Sequence, residues 1–251
     1  MDLAQQNGFD TSPLLSLPGF SFLNVCIDIL HSADLGLTQD ILGNVLWESL
    51  GHFATGGSRK DQIADLTLKM KDHYKRMKTS NRINTLEVGM LRKAAKHSPR
   101  LKAKGAETRH FVPFGLEVAA SMHANFNNSH TITVLQCLSS LMDFYMCLGV
   151  SPFPKSKAQN ACRNTCIFYA ALADEAVSNE IIAWEIKPKF HIFQGCGEYQ
   201  THELGDPQSF WAYQDEDWVG LGATIGRSRG GGGTASTTPE RVVQRLRALR
   251  A

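Results

Sequence analysis

The side chains with the most capacity for chemistry gather in one late stretch, Lys187 to Gly220, which reads KPKFHIFQGCGEYQTHELGDPQSFWAYQDEDWVG. It holds His191, His202, Trp211 and Trp218, and it ends on the only carboxylate triplet of the chain, Asp215-Glu216-Asp217. Carboxylates and histidines in one segment can exchange protons with a substrate or hold a hard divalent cation. Glu216 is the residue on which such chemistry would centre, and an enzyme built on His191, Glu198 and Glu216 is one reading of the stretch. The bland reading is a solvated helix start, because negative charge is favoured at the positive end of the helix dipole. An earlier group, Asp28-x-x-His31 with Asp34 three residues on, would lie on roughly one face of a helix.

Other chemistry is excluded by pattern. No GxxxxGK[ST] or GxGxxG run occurs, and Gly230–Gly233 has neither a lysine nor a preceding strand, so it is a linker and not a phosphate loop. No GxSxG elbow is present. The six cysteines include no CxxC pair. They read as reduced thiols, several in the core, with zinc as an alternative that lacks its usual paired spacing.

The elements that must position these residues read as helices. Thr38 is a candidate N-cap for LTQDILGNVLWESLGHF, with Ile41, Leu42, Val45, Leu46 and Leu50 at helical spacing. Ser58 opens a long helix whose apolar stripe is Ile63, Leu66, Met70, Tyr74 and Met77, with lysines opposite. Thr85 begins a short helix, and residues 99–109 read as a basic loop. A helix over 112–126 carries Pro113 in its first turn. The segment 130–150, mostly apolar with a narrow polar stripe of Gln136, Ser140 and Asp143, is expected to be the most buried helix. Further helices are expected over 156–180, 188–203 and about 208–227. The strand-like runs 21–30 and 181–186 are isolated, and no hairpin signal joins them. The expected class is mostly α, a multi-helix domain with no complete sheet. Residues 1–20 form an irregular lead-in, 21–228 the helical domain, 229–237 a Gly-rich linker and 238–251 a short basic helix.

With 43% hydrophobic residues, the 251-residue chain can build a sizeable core. No apolar run is long enough to span a membrane, and no basic n-region precedes an apolar stretch, so neither a membrane partner nor secretion is expected. The net charge of +2 hides a strong segregation. Residues 1–57 carry no Lys or Arg, whereas residues 58–109 carry fifteen against five acids. Grouping of this kind suits a polyanion, with Lys69, Lys71, Lys75, Arg76, Lys102, Lys104, Arg241 and Arg245 as candidate contacts to DNA. An acidic protein partner, or pairing with the chain's own acidic blocks, would use the same charges.

The two chemical groups together carry a family resemblance. Asp28-Ile29-Leu30-His31 fits a [C/D]-x-x-H motif. The late block follows as Lys189-Phe190-His191, Glu203-Leu204-Gly205-Asp206-Pro207, Phe210-Trp211 and Tyr213-Gln214-Asp215-Glu216, and Glu240-Arg241 closes it. In this the chain resembles the C-terminal half of a cut-and-paste DNA transposase of the RNase H-like class, of the CACTA/Plavaka type. The resemblance implies the helical insertion and C-terminal part of that fold, a nuclear location and DNA as partner. It implies Glu216 as the third metal-binding carboxylate, with Asp28 and His31 near it in space. Strand transfer in such enzymes uses two metal ions, here Mg²⁺. Two departures stand out. Asp206 separates Gly205 from Pro207, where the family has Gly-Pro. The two strand-borne aspartates expected before Asp28 have only Asp2 and Asp10 as counterparts, in a Pro-flanked polar segment. The expectation is a truncated, transposon-derived fragment that holds no Mg²⁺ tightly and is catalytically inactive.

Overall fold

A computed structural model of the chain describes residues 16–20, 25–53 and 57–213. These form a mostly helical fold, with no strand among the described residues. A π-helical segment, Leu30–Leu37, runs directly into α1, Thr38–Phe53. Then come α2, Arg59–Met77; the single-turn α3, Val88–Leu91; α4, Gly105–Phe126; α5, Ser129–Cys147; and α6, Lys155–Ser178. The last long element, α7, Pro188–Gly195, continues through a π-helical turn, Cys196–Gln200, into Thr201–Glu203, and Pro207–Phe210 forms a short 3-10 turn. The strand-like run 181–186 is irregular, and the part of the early run that is described, from residue 25, leads straight into helix.

Local sequence explains several of these boundaries. Ser58 accepts from Asp61 N while the Asp61 carboxylate accepts from Ser58 N, closing a capping box at the start of α2. Asn127 turns left-handed to end α4, and the Asn128 side chain accepts from Thr131 N to start α5. Some boundaries differ from expectation, among them α3, which opens at Val88 and not at Thr85. α4 begins at Gly105, seven residues early, because Glu107 reaches back to accept from Lys104 N; Pro113 consequently lies inside the helix. Thr38 has helical φ and ψ, so it caps nothing, and its hydroxyl instead meets that of Tyr145 at 2.8 Å.

The centre of the core is α1 rather than α5. Ile41, Leu42, Val45 and Leu46 are fully buried, and so are the polar Thr38 and Asn44. On α5, Ile132 and Met146 stay 40% and 59% exposed. The polar residues of α1 are buried because irregular backbone wraps around it and needs partners. Gln39 donates to Ala103 O and Asn44 to Asp40 O, while Asn44 Oδ1 accepts from Trp184 N at 3.0 Å. Asp40 is held by Lys187 Nζ at 2.7 Å, with Arg100 alongside. Gly43 lets the 98–103 segment approach this closely, since a Cβ there would stand 2.3 Å from Arg100 Cα. α5 and α6 pack along their length, with α4 between α5 and α1. Five of the six cysteines lie in this interior, and Cys26 is exposed.

Candidate functional site

The early motif and the late block meet at the π-helical segment. Asp28 precedes that segment and caps it: its carboxylate accepts from Leu30 N at 3.2 Å and from His31 N at 3.0 Å, and Ser32 N donates to its carbonyl. The same carboxylate meets His31 Nδ1 at 2.5 Å and accepts from Ala212 N at 2.8 Å, across 184 positions of sequence. Burial would raise the Asp28 carboxyl, but the hydrogen bonds from Ala212, His31 and Leu30 outweigh it and hold the group below the usual range. His31 itself points outward, with 52% of its side chain exposed.

Asp34 takes the opposite direction, so the three residues do not share a face. Its side chain is fully buried, and four donors converge on it. Arg109, in the second turn of α4, reaches Oδ2 through Nη2 at 2.8 Å and Oδ1 through Nε at 3.4 Å. The Tyr145 hydroxyl donates to Oδ1 at 2.5 Å and the Tyr213 hydroxyl to Oδ2 at 2.6 Å. Burial pushes the Asp34 carboxyl upward against the pull of Arg109 and the two tyrosines. Burial also raises both phenols, with the Asp34 charge adding to it. The guanidinium of Arg109 lies 4.7 Å from the Trp211 ring centre and 5.3 Å from those of Tyr145 and Tyr213. Gly105 makes room for this assembly: a Cβ there would fall 2.2 Å from Leu30 Cδ1 and 3.1 Å from the Tyr213 hydroxyl.

Chemically, this is a clamp. Its phenols are held protonated and its guanidinium is already paired, so none of its groups is poised to exchange protons. The described residues alone do not make up a two-metal centre. Both oxygens of Asp28 are occupied by backbone and imidazole donors, and no group of three His, Cys, Asp or Glu among the described residues is placed to hold a metal ion. Glu216, and with it the expected approach to Asp28 and His31, lies outside the described residues, three positions beyond Tyr213. His191 is exposed, whereas Glu198 is engaged by Gln194 Nε2 at 3.3 Å, with Arg163 at 3.8 Å.

The basic block divides between paired and outward-facing residues. Arg100 and Arg109 turn inward to Asp40 and Asp34, and Arg76 is held by Glu117 at 2.7 Å and Asp72 at 3.2 Å. Lys69, Lys71, Lys75, Lys102 and Lys104 are exposed. Internal pairing therefore takes up Arg76, Arg100 and Arg109, while these lysines stay on the surface. Arg76 is a poorer candidate contact than its sequence position suggested, and Arg241 and Arg245 lie outside the described residues. No helix among the described residues is long and apolar enough to cross a membrane.

Arg109 and Tyr145 were not legible as partners of Asp34. The available signal was a lone aspartate inside the apolar run Leu30–Leu37, a position that demands a buried counter-charge. Comparison with family models, with curated protein sequences and with solved structures returned no match.

Proposed function

We propose that the chain is a transposon-derived fragment, the helical insertion and closing block of a CACTA/Plavaka-like transposase of the RNase H-like class. On this reading it is inactive in strand cleavage by itself and retains weak, sequence-independent affinity for DNA. The observation that supports it best is the docking of Ala212 onto Asp28 and of Tyr213 onto Asp34. Such docking is what the family arrangement requires, a late acidic block folded back onto the early Asp-x-x-His motif. Glu216 would then supply a carboxylate beside a sheet-borne metal centre for which the described residues have no counterpart, and Mg²⁺ would be held only with that sheet.

DNA affinity would come from the outward lysines, Lys69, Lys71 and Lys75 on α2 and Lys102 and Lys104 at the start of α4, with Arg241 and Arg245 contributing from the basic tail. Counterion release makes such binding insensitive to base sequence and steeply dependent on salt, with a slope of about 0.9 in log K per phosphate contacted. The test is a random duplex titrated at about 50 and 200 mM salt, over which the Debye length falls by roughly half. A supercoiled plasmid is incubated in parallel with Mg²⁺ or Mn²⁺. Salt-sensitive binding without nicking is expected. Nicking that disappears in Glu216→Ala would overturn the inactive reading, and absence of binding at the lower salt would overturn the DNA reading.

A further inference from the structure

The exposed side of α2 forms one wall of a long groove whose other wall is the irregular segment leading into α3. Two side chains of α2 pin that segment alongside the helix: Thr67 Oγ1 accepts from Leu86 N and the Tyr74 hydroxyl accepts from Ile83 N, each at 3.3 Å. The two strips therefore run antiparallel. Between them lies a hollow of about 610 Å³, lined by Lys60, Ala64, Leu68 and Lys71 at helical spacing and by Leu86 and Val88 opposite. It continues past Leu68 and Lys71 into a second hollow of about 350 Å³ that reaches Lys75 and Arg82. Leu68 belongs to both hollows and is 65% exposed, and Val88 on the facing wall is 38% exposed.

Size and charge indicate what would cover it. From Lys60 to Lys75 the groove follows about four helical turns, roughly 22 Å at 1.5 Å per residue. Its rim carries four cations, Lys60, Lys71, Lys75 and Arg82, against Glu87 and Asp72, and Asp72 is already held by Arg76. Phosphates would use the rim but leave the apolar floor uncovered. A helix with an apolar stripe at i, i+4, i+7 and i+11 and carboxylates beside it would use both. We propose that this groove is a docking site for an acidic amphipathic helix of a protein partner, a function beyond the DNA affinity described above that draws on Lys71 and Lys75 as well.

The test uses the full-length protein and a fluorescein-labelled peptide of about 18 residues, with Leu at the four stripe positions and Glu and Ala elsewhere. A control peptide has the same composition with the Leu positions scrambled. Fluorescence polarisation should give micromolar binding for the patterned peptide and at least tenfold weaker binding for the scrambled one. Leu68→Asp and Val88→Asp, one on each wall and both at exposed positions, should each weaken the patterned peptide at least tenfold. Their affinity for a random duplex should fall no more than about threefold, the loss expected from one added surface charge. Equal affinity for the two peptides would overturn the proposal, because charge alone would then explain binding. Indifference to both Asp substitutions, or absence of peptide binding at low salt, would overturn it as well. Failure of duplex binding with retained peptide binding would instead count against the DNA reading alone.

Discussion

Replacing Arg109 by Leu removes the counter-charge of a carboxylate whose side chain is wholly excluded from water. Breaking a buried ion pair from one side typically costs about 3–5 kcal/mol, because the remaining charge stays desolvated. The two tyrosine hydroxyls that donate to Asp34 soften this loss, whereas forfeiting the guanidinium contacts with Trp211, Tyr145 and Tyr213 adds about 0.5–1 kcal/mol each. A net loss of roughly 4 kcal/mol is expected in urea unfolding followed by tryptophan fluorescence. Acidity should reverse part of it. Without Arg109, burial is opposed at Asp34 by the two tyrosine hydroxyls only and lifts its folded pKa further above the unfolded value, so protonation favours the folded state and the deficit shrinks as pH falls. Asp34→Asn added to Arg109→Leu should recover at least 1 kcal/mol at pH 7 by removing the stranded charge. The reasoning is refuted if Arg109→Leu costs under about 1 kcal/mol, or if the double variant is no more stable than the single one.

His130 lies between Glu48 and Glu175 at 3.0 and 2.8 Å, and the hydrogen bond it donates to Glu48 leads the effects that push its imidazole up to about 9. Because the folded value is the higher one, its stabilisation is complete below pH 6.5 and disappears as pH rises through 9, a loss of about 2 kcal/mol after allowance for its partial exposure. Glu48→Gln, which still offers an acceptor to Trp184 Nε1, should flatten that slope in chemical denaturation between pH 6 and 9. Gly43→Ala should destabilise by about 2–3 kcal/mol, since its methyl group would meet the Arg100 backbone rather than a movable side chain; thermal unfolding of the variant measures it.

Where a signal was local, the sequence carried it. The Ser58 cap, the Ile63, Leu66, Met70 and Tyr74 stripe and the continuous helical reading of 188–203 depend on neighbours within a few residues, and the structure has all three. Met77, the last member of the predicted stripe, is instead 58% exposed at the end of α2. The ranking of helices by burial was not legible. Asp34, Asp40 and Gln39 put polar groups at the entry to α1, and only Arg109, Lys187 and Arg100, more than 60 residues away, allow it to be the core. Pairing of the early motif with the late block could be expected from family resemblance but not from spacing. The residues that execute it, Arg109 and Tyr145, carry no motif.

The span of that pairing bears on how the molecule assembles. Ala212 and Tyr213 bond to residues 184 and 179 positions earlier, whereas Asn128 and Ser58 bond within three. Closing a loop of that length costs chain entropy that is offset only once α4 and α5 already present Arg109 and Tyr145. The clamp is therefore expected to close late, and stopped-flow kinetics of Arg109→Leu tests it. Weakening it hastens unfolding and leaves the folding rate almost unchanged. On this account the late block would set how long the native state persists.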